Sequence, residues 1–337
     1  MLFSREPKRY RDEFFDREEE LSLLTRALEV GEGLVIVYGI RRIGKTSLVL
    51  VCLNSIGFPY VFIDVRRFVE NPCLLSPSGL RGFIESVFER YRGCRKGLVE
   101  CIKSVARYVE SIDTGVLSIR IRRSAREELF TDLLARIDEW ASSRGLRFVI
   151  VFDEAQYLSI VSQWRNIIAW SIDYLDNVSF IVTSSEVGVL RDFLALDDPG
   201  SPLYGRPRVE LLLDRLSSDK ALEFLEQGFS IAGVSVTRDE LVEAVRVFDG
   251  IIGWLNLYGY YRVAYRLGHR EAIKRIEDDA SKLIASELEK LVKHSPKRYL
   301  AVLKALALGL TRWSDIKRYV TGFIGYIPDT KTSTNTR

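Results

Sequence analysis

The sequence has little of what would staple it by metal, by disulfide or into a membrane. Its two histidines are His269 and His294, and its four cysteines are Cys52, Cys73, Cys94 and Cys101. No C-x-x-C pair and no zinc-ligand spacing occurs among them, which argues against a structural zinc site. One methionine, three glutamines and six asparagines stand beside 49 Lys/Arg and 46 Asp/Glu. So few thermolabile side chains among so many charges point to a thermophilic source. No apolar run reaches the roughly 18 residues that a membrane span needs. The nearest candidate, residues 251–265, contains Asn256 and Arg262. The opening residues, MLFSREPKRYRDEFF, lack the apolar core of a secretory signal. The expectation is a cytoplasmic chain without a membrane partner. Internal repeats and low-complexity segments are absent as well.

What is present is a chain of 337 residues, 47% hydrophobic and 28% charged, enough for two or three domains and a sizeable core. Its net charge of +3 is unevenly spread. From Lys290 onward the balance is +8, and the rest of the chain carries −5. A basic C-terminal segment on an acidic body allows a nucleic-acid contact there, and a solvated helical face explains the charge equally well.

Residues 1–13 are mostly polar and charged and read as a mobile arm. Asp16 with Glu19 reads as the capping box of a helix that carries Leu21, Leu23, Leu24 and Leu28 as its apolar face. Five short apolar runs lie beyond it: LVIVYG (34–39), YVFIDV (60–65), RFVIVFDE (147–154), SFIVTSSE (179–186) and RVELLL (208–213). Runs without alternation are strands buried on both faces, and helical patterns separate them. The class is α/β with a parallel sheet. Between the second and third runs, residues 66–130 read as an insert. It holds helices near 80–91 and 97–110 and a small exposed hairpin over 112–123. Its arginines Arg120, Arg122, Arg123 and Arg126 read as a surface salt-bridged with Glu127 and Glu128, or as a nucleic-acid or partner contact. From Ser217 the pattern is helical, with a capping box at Thr237 and Glu240, a break at Gly250 to Gly253, and one long helix over 269–294. The aromatics Trp254, Tyr258, Tyr260, Tyr261 and Tyr265 read as packing.

Chemistry enters with Gly39-Ile40-Arg41-Arg42-Ile43-Gly44-Lys45-Thr46, a complete G-x-x-x-x-G-K-T, followed by Ser47. It lies between a strand run and a helical run, the context that confirms a phosphate-binding loop. Its glycines turn backbone N–H groups toward phosphates, Lys45 is placed for the β and γ phosphates, and Thr46 offers a hydroxyl to Mg²⁺. The third strand ends in Asp153 and Glu154. Asp153 is the candidate second Mg²⁺ group and Glu154 the candidate general base for an attacking water. Their alternative is a helix N-cap. Thr183, with Ser184 and Ser185, ends the fourth strand and is placed to sense the γ-phosphate, or forms a plain ST-turn. Arg206 is the candidate arginine finger or sensor, or a surface arginine. Arg41 and Arg42 read as solvated or packed on a lid.

The chain resembles the archaeal ATPase family of P-loop signal-transduction ATPases, relatives of the AAA+ class. The matching pieces are FFDREEEL (14–21), YGIRRIGKTSL (38–48), VIVFDEAQYL (149–158), SPLYGR (201–206), GWLNLYG (253–259) and RWSDIKR (312–318). The resemblance implies a sheet of order 5-1-4-3-2, a helical lid, a C-terminal winged helix, and ATP as the nucleotide. It also places Phe15 and Arg17 near the adenine. The expected organisation is an arm (1–13), an ATPase domain (14–216), a helical lid (217–292) and a winged-helix-like segment (293–337). Ile252 stands where the family has a lid proline. After Ile327 no apolar residue remains, so the winged helix is expected to be incomplete and the chain beyond Pro328 poorly ordered. The expected function is Mg²⁺-dependent ATP hydrolysis that drives a switch, with DNA or a protein as partner. Its rivals are a nucleotide-gated DNA-binding regulator with negligible turnover and a small-molecule kinase.

Overall fold

The computed structural model describes residues 2–93 and 129–325. The expected helix over 97–110, the hairpin over 112–123 and everything after Pro328 lie outside the described residues. Two compact units are present, Met1–Leu267 and Gly268–Arg337.

The first unit is built on five strands: β1 (Leu34–Tyr38), β2 (Tyr60–Asp64), β3 (Phe148–Asp153), β4 (Val178–Ser184) and β5 (Val209–Leu212). All pair in parallel, in the order β2-β3-β4-β1-β5. This is the expected order. Every residue of β1, β3 and β4 is buried, as unalternating apolar runs require. The crossovers are helical: α1 (Glu18–Val30), α2 (Lys45–Ile56), α3 (Pro77–Gly93), α4 (Phe130–Ser142), α5 (Gln163–Tyr174) and α6 (Val187–Leu194). Strand register positions the polar residues. Asp64 lies beside Asp153, and Tyr38 beside Ser184, so β1, β2, β3 and β4 deliver their C-terminal residues to one edge. Ligand sites of open parallel sheets form at that edge.

The start of α1 corrects the expected capping box. Asp16 and Arg17 both adopt left-handed backbone, at φ 58 and 73, and Arg17 is the N-cap without a side-chain bond. The double turn buries the Arg17 guanidinium, which donates to Glu20 and to the Asp214 carbonyl. Glu18, Glu19 and Glu20 then supply the negative charge that a helix N-terminus favours.

The arm is not free either. Leu2 and Phe3 are buried. Three helices, α7 (Ser218–Ala232), α8 (Arg238–Phe248) and α9 (Ile252–Ala264), form the helical part after β5. Phe3 sits between Phe224 and Phe229, with ring centroids 5.6 and 5.1 Å away. Its socket exists because Gly228 and Gly259 carry no side chain; a Cβ there would lie 2.1 and 2.4 Å from the ring. Asn256 closes the socket by bonding both the N–H and the C=O of Ser4. Farther along, the Lys8 N–H donates to Ser47 and the Asn54 amide to the Arg9 carbonyl. The arm therefore ties α7 and α9 to α2. Emptying such an aromatic socket typically costs about 3–5 kcal/mol. Phe3→Ala should lower the urea-unfolding free energy by that order, and a loss under about 1 kcal/mol would show the arm to be dispensable.

Local signals set the helical part. Ser217 caps α7 by accepting from the Lys220 N–H. Thr237 and Glu240 form the expected reciprocal box at α8. In the second unit α10 (His269–His294) leads to α11 (Pro296–Ala307) and α12 (Trp313–Ile324). The small residues Ala301 and Ala305 of α11 let Ile316 and Val320 of α12 approach closely. The segment after this pair, where the winged helix is expected to be incomplete, falls outside the described residues.

Candidate active site

The loop between β1 and α2 is built on two glycines. Gly39 (φ 155) has no room for a side chain, since a Cβ would meet Ile43 and the Leu213 carbonyl at 2.8 Å. Gly44 (φ 102) caps α2 in a backbone region closed to most residues. Ile43 is buried and plugs the loop into the core, while Ile40 is exposed at its tip. Lys45, 5% exposed, donates to the carbonyls of Gly39 and Ile40 at 2.8 and 3.1 Å. Burial pulls its ammonium below the ordinary value, against the pull of Glu154 and Asp153. A cation held at a helix N-terminus among backbone N–H groups is an anion site.

Across the strand edge, Asp153 is buried and accepts from the hydroxyls of Thr46 (3.1 Å) and Thr183 (2.5 Å). Burial pushes its carboxyl up, and those hydroxyls only partly oppose it. Thr183 also accepts the Glu154 N–H at 3.2 Å. Its hydroxyl, the expected γ-phosphate sensor, thus bonds the Asp153 carboxylate and the Glu154 backbone at the end of the neighbouring strand. Glu154 itself has left-handed backbone, φ 56 and ψ 48, which turns its side chain out of the strand line. Burial works against its charge, but bonds from Gln156 and Ser185, with Lys45 and Arg66 nearby, outweigh burial and hold its carboxyl below the ordinary value.

The structure thus brings Lys45, Thr46, Asp153, Glu154 and Thr183 together. It does not bring Arg206. That side chain forms a two-pronged bond to Asp173 at 2.9 and 2.6 Å. It precedes β5, whose residue Val209 pairs with Val35 near the start of β1, so it lies at the opposite end of the strands from the loop. Phe15 packs edge-on against Phe224 of α7 at 5.4 Å, and Arg17 lies buried beside the chain leaving β5. Arg42 does pack on the lid. Its guanidinium lies 4.0 Å over the Trp254 ring, and its carbonyl accepts the Gly253 N–H at 2.9 Å. With Ile252 in place of proline, α9 still meets the loop, through backbone and a cation–π contact.

Two residues escaped the sequence reading. Arg66, held by Asp64 at 2.8 and 2.7 Å, bears electrostatically on Lys45, Asp153 and Glu154. Gln156, 3% exposed, grips Glu154. The available signals were a D-x-R at the end of the second strand and a lone amide in an otherwise apolar A-x-Y-L turn.

A family described as an ATPase domain predominantly from Archaea matches residues 14–257. The chain belongs to this archaeal ATPase family. As a member, it is an enzyme that hydrolyses ATP to ADP and phosphate. The archaeal ATPase is similar to a Walker-type ATPase of Pyrococcus abyssi, at 35% identity and TM-score 0.76, over 98% of this chain and 90% of that one. It also matches the ORC2 protein of Aeropyrum pernix, solved as ADPNP–ADP complexes, at 14% identity and TM-score 0.56. That match covers 95% of this chain and 82% of that one, and shows the fold alone. No curated protein sequence matches it. Among the described residues, no helix is long and apolar enough to cross a membrane.

Proposed function

We propose that hydrolysis by this ATPase requires Mg²⁺ and uses Glu154 as general base, with Lys45 on the β and γ phosphates. The observation that carries it is the Thr46–Asp153 contact at 3.1 Å beside Lys45. The donor set fits the ion. Asp153 is a buried carboxylate with only hydroxyl donors, and a dication relieves that burial. Among the described residues no group of three or more His, Cys, Asp or Glu could hold a metal alone. Thr46 and Asp153 would therefore hold Mg²⁺ jointly with phosphate oxygens, the usual manner for this ion. When bound, it supplies charge that stabilises the transferring phosphoryl group. Thr183 holds the acidic pair in register, and Glu154 takes the proton of the attacking water. Phe15 and Arg17 would flank the adenine beside α7. Contact of α9 with the loop at Arg42 supports a lid that responds to the nucleotide.

Coupling to DNA is favoured by one feature, the exposed cations Lys297, Arg298, Lys304, Arg312 and Arg318 of the C-terminal unit. Charge alone gives salt-sensitive binding indifferent to base sequence. Phosphate release from ATP, measured against Mg²⁺ concentration and with or without duplex DNA, tests both parts. Turnover should vanish on chelation. DNA binding should weaken steeply between about 50 and 200 mM salt. Equal turnover in chelator removes the metal, and a preference for one duplex over its scrambled form removes the charge-only reading of DNA.

A further inference from the structure

We propose that Gln156 and Ser185 are positioning residues that aim the Glu154 carboxylate at the attacking water. The inference rests on Glu154 being the base. Both residues bind the same carboxylate oxygen. Gln156 Nε2 and Ser185 Oγ each lie 2.7 Å from Glu154 Oε2. The other oxygen, Oε1, accepts no hydrogen bond from the described residues. A carboxylate held this way is fixed in rotation, yet keeps one oxygen with both lone pairs for a water proton.

The direction of each bond is settled by chemistry. The atom of Gln156 facing an ionised carboxylate must be its amide nitrogen, because two oxygens would repel. The amide oxygen then faces Ser184, whose hydroxyl lies 2.9 Å away. Ser184 is fully buried and is itself fixed by the Glu186 N–H at 3.0 Å. Gln156 also reaches Ser185 at 3.5 Å. The clamp is thus a closed chain, Ser184 to Gln156 to Glu154 to Ser185. Ser184 ends β4, Ser185 follows it, and the amide comes from the 3-10 turn Ala155–Ile160.

The clamp answers a problem created by the backbone. Left-handed backbone is unfavourable at a glutamate, and it turns the side chain out of the strand line. Donors from the 3-10 turn and from the residue that follows β4 supply the missing support. The arrangement also divides labour at the strand edge: Thr183 braces Asp153 and the Glu154 backbone, Ser185 holds the Glu154 side chain directly, and Ser184 holds it through Gln156. Three consecutive hydroxyl residues at and just beyond the end of β4 thereby acquire separate tasks.

The test is steady-state ATP turnover with Mg²⁺ by the full chain, beside nucleotide affinity from calorimetry with a non-hydrolysable ATP analogue. Losing a buried hydrogen bond to a charged group should lower kcat about 10- to 100-fold in Gln156→Leu. Ser185→Ala should fall in the same direction, and Ser185→Thr should recover most of that loss. Affinity should stay within about threefold, because neither residue is placed on the nucleotide. In a Glu154→Gln background, Gln156→Leu should cost nothing more, since residues that act as a unit are not additive. Wild-type kcat in Gln156→Leu beside an inactive Glu154→Gln overturns the inference and leaves the base reading standing. Equal losses of affinity and kcat, or losses that multiply in the double variant, overturn it as well. Full turnover in Glu154→Gln removes the base reading and this inference together.

Discussion

Replacing Lys45 with alanine should weaken MgATP binding by about 10²–10⁴-fold and abolish turnover at ordinary nucleotide concentrations. The size follows from what the ammonium can do where it sits. It is 5% exposed and held at the first turn of α2 between the carbonyls of Gly39 and Ile40. Two charge-assisted contacts to phosphate, at roughly 1.5–3 kcal/mol each, sum to about 3–6 kcal/mol, and each 1.4 kcal/mol is tenfold in affinity. The fold should tolerate the change. Burial lowers the Lys45 pKa, so the charge opposes folding rather than supporting it. Calorimetric titration with MgATP, beside a thermal melt without nucleotide, separates the two effects. Wild-type affinity in the variant would show that this lysine does not carry the phosphates. Lost affinity together with a collapsed melting temperature would show that it carries the loop instead.

The sheet and the loop were legible in the sequence because local chemistry decides both. A run such as FVIVFD can be satisfied only between two layers, and it is buried along its whole length. Gly39 and Gly44 sit where only a glycine backbone serves, so their spacing with Lys45 and Thr46 announces the geometry. Strand order was a different matter; it came from the family resemblance, and no apolar pattern encodes it. What stayed hidden depends on partners far along the chain. Two apolar residues at the start, Leu2 and Phe3, are too few to form a pattern, and their socket is made by glycines more than 220 positions later. Asp16 looks like an N-cap, yet Arg17 is drawn to the Asp214 carbonyl and the helix begins beyond it. Thr183 was recognised as a strand-end hydroxyl, but its bond to Asp153 is set by β3 lying beside β4. Arg206 matched a motif in sequence and lies at the wrong end of the strands to reach its own loop.

Glu154→Gln should retain MgATP affinity and lose about 10²–10⁴-fold in turnover, the usual worth of a positioned base. The amide has nearly the shape of the carboxylate, and the surrounding donors dictate how it would sit. Gln156 and Ser185 both donate to the Oε2 position, so the new carbonyl oxygen must occupy that place. The new NH₂ group then takes the place of Oε1 and faces the site as a donor, unable to accept a proton from water. The left-handed backbone and its bond to Thr183 are unaffected, because they involve only the Glu154 N–H. Asp153→Asn should behave differently. It changes the group proposed to share the ion with Thr46, so its effect should appear as a raised Mg²⁺ requirement with measurable turnover at high Mg²⁺. Single-turnover phosphate release across a Mg²⁺ series distinguishes the two variants. A Glu154→Gln enzyme that released phosphate at half the normal rate, or regained full rate with more Mg²⁺, would take the base role away from this residue.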